Sequence, residues 1–72
     1  MEGEFMKKEE FKELYVEYVS NGFDKMDFEL KDGSTLMHND KSVVNFSEDY
    51  FVLINEGFVA TVTYSYVDCV AI

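Results

Sequence analysis

Apolar positions follow two different periods along this chain, and the change falls at Gly22. Before it, Phe11, Leu14, Tyr15, Tyr18 and Val19 recur at i, i+3, i+4, i+7 and i+8, the stripe of an amphipathic helix. Lys7, Lys8, Glu9, Glu10, Lys12, Glu13 and Glu17 fill the opposite side, and Asn21-Gly22 supplies a stop because glycine adopts the left-handed conformation that closes a helix. The spacing predicts a helix over Lys7–Ser20. After Gly22 the period is two. Met26, Phe28 and Leu30 alternate with Asp27, Glu29 and Lys31, a half-buried strand. Asp32-Gly33 signals a tight primed hairpin turn and a returning strand over Ser34–Met37.

The remaining elements follow at short intervals. His38–Lys41 reads as a polar turn, Ser42–Ser47 as a strand, and Glu48-Asp49 as a bend. Tyr50–Ile54 is a continuous apolar run, expected to be a central strand covered on both faces. Asn55-Glu56-Gly57 is a hairpin loop with Gly57 suited to a bulge. Phe58–Tyr66 alternates again, and Val67–Ile72 forms a last strand after a bend. The order is one N-terminal helix followed by about five short strands. Such short connections favour antiparallel neighbours, so the expected fold is α+β, a strongly bent sheet or small barrel capped by the helix. Residues 7–72 form a single domain in this reading. Residues 1–6 read as a disordered or tag-like N-terminus, with Met6 as an alternative start.

Composition narrows the function classes. The chain has 72 residues, six lysines, no arginine and a net charge of −9, and no lysine follows Lys41. A carboxylate excess of this kind repels phosphate backbones and steers a protein towards basic surfaces. Nucleic acid is therefore an unfavoured partner. No stretch approaches a membrane span or the uninterrupted apolar core of a signal peptide. The single Cys69 fits a reducing cytoplasm and reads as a small buried hydrophobe. A domain this small buries only about 60% of its unfolded surface, which makes self-association a natural supplement.

The stretch Asn45-Phe-Ser-Glu-Asp-Tyr-Phe-Val-Leu-Ile, then Asn55-Glu-Gly, then Val62-Thr-Tyr-Ser-Tyr-Val-Asp-Cys-Val-Ala-Ile resembles the second half of the Sm-like fold of bacterial Hfq proteins. The helix, the alternating strand and the Asp32-Gly33 hairpin are similar to the first half, so the resemblance covers Lys7 to Ile72. It implies a small SH3/Sm-like barrel, with Tyr50 or Phe51 at the family's uridine-stacking position. It also implies a homo-oligomer formed through the C-terminal strand. The chain departs from the family at three places. Lys41 or Ser42 stands near the family's strand-bending glycine, residues 38–41 carry an insertion, and Tyr64-Ser65-Tyr66 replaces the Tyr-Lys-His triplet that contacts RNA.

No residue set here assembles into catalytic, phosphate-binding or metal-binding machinery. Glu48-Asp49 sits in a solvated turn, and His38 lacks a nucleophile or a second histidine, so it reads as a loop histidine. The expected protein is not an enzyme and needs no cofactor or metal. It is read as a small acidic protein-binding module, an inhibitor of the phage type that occupies a basic, nucleic-acid-binding surface. Its expected contacts are Glu9, Glu10, Glu13 and Glu17 on the helix, with Asp27, Glu29, Asp32, Asp40, Glu48 and Asp49 elsewhere. Tyr50, Phe51, Tyr64 and Tyr66 are the candidate contact aromatics. Two alternatives stand beside this reading: an Sm-like RNA-binding oligomer using Tyr50, Phe51 and the lysines, and an oligomer that sequesters a nucleotide or metabolite.

Overall fold

The computed structural model describes residues 6–72; the expectation for residues 1–5 lies outside the described residues. One helix, α1 (Lys8–Ser20), precedes six strands: β1 (Met26–Leu30), β2 (Thr35–His38), β3 (Val43–Phe46), β4 (Tyr50–Asn55), β5 (Phe58–Thr63) and β6 (Val67–Ala71). A short 3-10 turn, Tyr64–Tyr66, separates the last two strands. The strands form two antiparallel three-stranded sheets. Sheet A has the order β2-β1-β6 and sheet B the order β3-β4-β5. Among the described residues no ladder joins the two, so the fold is α+β but does not close into a barrel.

Helix α1 is closed at both ends by its own sequence. The Lys7 backbone N–H donates to Glu10 Oε1 at 3.1 Å. At the C-terminus, Phe23 N–H donates to the Tyr18 carbonyl (2.8 Å) and Gly22 N–H to that of Val19 (3.0 Å), with Gly22 at φ 87°. This paired arrangement is the Schellman motif, which needs a left-handed residue at the position of Gly22. The first hairpin corrects the expected primed turn. Gly33 N–H donates to the Leu30 carbonyl and Leu30 N–H to that of Ser34, a three-residue loop with positive φ at Gly33 alone.

The core lies between the sheets. Sheet A contributes Met26, Phe28 and Val67; sheet B contributes Phe51, Leu53 and Val62. The rings of Phe28 and Phe51 meet edge to face at 5.6 Å, which ties one sheet to the other. Phe11 enters from α1, stacks on Phe51 at 4.3 Å and meets Phe28 edge-on at 5.3 Å. It is the one fully buried residue of the helix. Tyr15, Tyr18 and Met6 pack against the core cluster, while Val19 is 38% exposed and leaves the predicted apolar stripe.

Three further expectations are corrected. β4 is central in sheet B but covered on one face only: Phe51 and Leu53 are buried, whereas Val52 and Ile54 are half-buried and Tyr50 is exposed. The predicted strand over Phe58–Tyr66 breaks at Tyr64, where the 3-10 turn carries the chain towards sheet A. Cys69 is exposed rather than buried. A bulge explains this: Glu29 pairs with Cys69 but Leu30 with Val67, so the extra residue Asp68 reverses the alternation and turns Cys69 outward.

Candidate interaction surface

On α1 the helical rotation places Glu9, Glu13 and Glu17 one above another at i, i+4 and i+8, with Glu10 beside them. All four are exposed. The carboxylates of Glu9, Glu13 and Glu17 have no hydrogen bond or ion pair with any described residue. Lys12 does not neutralise the stripe, since its ammonium lies 5.5 Å from the centroid of the Phe46 ring. Like charges at i, i+4 each weaken a helix by about 0.2–0.5 kcal/mol. Glu9 lies in the first turn, where the helix dipole favours a carboxylate, but the alignment of Glu13 and Glu17 costs the fold stability that no ion pair among the described residues offsets.

The other predicted carboxylates are distributed over the molecule. Asp27 and Glu29 project from the outer face of β1. Glu29 Oε1 lies 3.2 Å from Cys69 Sγ, and this hydrogen bond, with burial and the neighbouring charges, raises the thiol pKa. Asp32 is tied into its own turn by the Ser34 hydroxyl (2.6 Å) and the Ser34 N–H (2.9 Å), which lower its pKa. Asp40 borders a shallow groove of about 680 Å³ with Met37, Lys41, Asn55, Glu56 and Phe58. Glu48 and Asp49 occupy the bend before β4, clipped to the 3-10 turn by the Tyr64 hydroxyl, which donates to the Ser47 carbonyl at 2.7 Å. Burial raises the Tyr64 pKa, and the charges of Glu48 and Asp49 add to the shift.

Of the four candidate aromatics, Phe51 and Tyr64 are taken up by the core at 0% and 3% exposure and present no ring to a partner. Tyr50 and Tyr66 remain, each 40% exposed. His38 is not a loop residue. It ends β2, is 5% exposed, and is engaged on both ring nitrogens. Its Nδ1 lies 2.7 Å from the Asp24 carbonyl, which can only accept, so in the neutral ring Nε2 accepts from the Tyr15 hydroxyl at 2.9 Å. Burial, with the charge of Asp24 adding to it, raises the Tyr15 pKa.

One surface was not foreseen. The outer face of sheet B carries the cross-strand rows Val43–Ile54–Val59 and Asn45–Val52–Thr61, with Tyr50 opposite Thr63, and no charged residue. Its signal was present in the sequence, where Val59, Thr61 and Thr63 alternate with Ala60 and Val62 and no charge falls within β3, β4 or β5. A single apolar run at β4 made burial on both faces the simpler reading.

No family model, curated protein or solved structure matches this chain. Among the described residues no helix is long and apolar enough to cross a membrane, and no group of His, Cys, Asp and Glu is arranged to hold a metal ion.

Proposed function

We propose that this chain is a small, acidic, non-enzymatic protein-binding module whose α1 carboxylates engage a basic surface on a partner protein, in competition with the nucleic acid that such a surface binds. The observation that carries this reading is the exposed stripe of Glu9, Glu13 and Glu17, unpaired among the described residues, with Glu10 alongside. Charges aligned at a local cost are explained by a partner that neutralises them. A protein acting through such contacts works in the reducing cytoplasm, where an exposed lone thiol such as Cys69 stays free. The Sm-like resemblance remains part of the proposal at the level of scaffold. RNA binding is disfavoured by the carboxylate excess, and burial of Phe51 leaves only Tyr50 of the two candidate stacking aromatics. Self-association through β6 is disfavoured because Asp68 and its bulge blunt that strand.

The test compares wild-type chain with a Glu13→Lys/Glu17→Lys variant and with a second variant reversed at Glu48 and Asp49, as baits for basic proteins in a host lysate. Capture is expected to fail with the helix variant and only to weaken on reversal at the bend. Capture that persists after reversal of every acidic patch would sink the reading. Measurable binding of single-stranded RNA at low salt would restore the RNA-binding alternative.

A further inference from the structure

The edge strands of the two sheets are unequally protected. An edge presents unpaired N–H and C=O groups, and native sheets blunt it with charge, shortness, bulges or cover. β2 has four residues, and its Met37 carbonyl accepts from Asn55 Nδ2 at 3.0 Å. β3 is equally short. β6 carries Asp68 at its bulge, with Lys31 Nζ 3.4 Å away. Among the described residues β5 has none of these devices. Its six residues, Phe-Val-Ala-Thr-Val-Thr, hold no charge and no proline, and pair with β4 in unbroken register. Val59 is 62% exposed, with Thr61 and Thr63 exposed along the same face.

Both ends of this edge are acidic. Glu56 lies in the turn that leads into β5. At the exit, Tyr64 N–H donates to the Asp49 carbonyl at 3.4 Å, which places the Glu48-Asp49 bend across from the end of β5 on its β4 side, one strand in from the free edge. Two copies paired antiparallel through β5 would set Glu56 of each against the acidic exit of the other, an unfavourable meeting of like charges. A segment with an uncharged middle and positive ends matches the edge throughout.

We propose that β5 is the docking edge for an extended segment of the partner, added to sheet B as a fourth strand, with uncharged β-branched residues in its middle and lysine or arginine at both flanks. The inference rests on the acidic-module reading and names the element that module grips. Backbone hydrogen bonds to β5 supply the affinity, and every second side chain of the segment lies beside Val59, Thr61 and Thr63. Glu56 at one end and Glu48 and Asp49 at the other select the basic flanks and fix the register.

The test uses the full isotopically labelled chain and the synthetic peptide Lys-Lys-Thr-Val-Thr-Val-Thr-Lys-Lys. Control peptides carry glutamate in place of lysine, or N-methyl groups at alternate central residues. The lysine peptide is expected to slow amide exchange along β5, and both controls to bind at least about tenfold more weakly, a decade being about 1.4 kcal/mol. Thr61→Lys, at an exposed position, is expected to keep the wild-type circular dichroism spectrum and to lose affinity by the same factor. Binding that maps to α1 with β5 unchanged would overturn strand addition and leave the acidic-module reading intact. No binding of either the peptide or oligolysine at low salt would overturn both. Protection of β5 that grows with protein concentration in the absence of peptide would assign the edge to a second copy, and the proposal would fall.

Discussion

Tyr15 and His38 show how much a single polar contact can carry. The imidazole is buried, and the Tyr15 hydroxyl is the partner of its Nε2. Tyr15→Phe keeps the ring packing but strands that nitrogen, so the variant is expected to lose about 1–3 kcal/mol in urea denaturation at neutral pH. The same substitution changes the alkaline limb. Because the folded-state pKa of Tyr15 is raised, its contribution is fully present below the ordinary tyrosine value of about 10 and is lost as pH rises through the folded value. The stability of the variant should therefore fall less steeply than wild type above that pH; an identical slope would show that Tyr15 ionisation does not oppose the fold. None of this pairing was legible in the sequence. Tyr15 and Asp24 lie 23 and 14 residues from His38, and a histidine between Met37 and Asn39 carries no mark of burial.

At the scale of elements, the cap of α1 gives a direct test of local coding. Gly22 holds φ 87°, and nothing stands within 4 Å of a Cβ added there, so the penalty of Gly22→Ala is backbone strain alone. A loss of about 1 kcal/mol is expected by thermal or urea unfolding, and a neutral result would mean that the cap does not require a left-handed residue at position 22. Elements marked by such punctuation were readable: the helix begins one residue later than its periodicity predicts, and the β1–β2 and β4–β5 hairpins fall where Gly-containing turns were seen, whereas the β3–β4 hairpin turns at residues 47–49 without glycine. What could not be read were the places where a strand changes parity. Tyr64-Ser65-Tyr66 continues an apolar alternation while its backbone turns, and Asp68 bulges without altering the composition of its strand. Both are set by pairing with residues far away in sequence, and they decide that Tyr64 is core and Cys69 surface.

For the whole molecule the strongest influence is charge. A net −9 on 72 residues repels itself, and added salt shortens the reach of that repulsion from about 10 Å at 0.1 M to about 3 Å at 1 M. The melting temperature is expected to rise as sodium chloride is added over that range; a fall would show that ion pairs such as Lys31–Asp68 outweigh the repulsion. The acidic residues of the candidate surface were all legible as residue types, and those on α1 as a helical face. Their grouping was not, because it depends on which lysines turn away, as Lys12 does towards Phe46.

Sheet A closes with a strand drawn from the far end of the described chain. Glu29 and Cys69, neighbours across the β1–β6 ladder, are 40 residues apart, whereas β3, β4 and β5 follow one another through short turns. Contacts that span long stretches of chain form late, because the entropy of closing the loop must be met before they give anything back. The β3–β4–β5 meander is thus the part able to assemble first, and the arrival of β6 paces the rest. Until then Phe28 has only β2 as a ladder neighbour for its strand, and a chain halted before Val67 holds one sheet finished and one half-built.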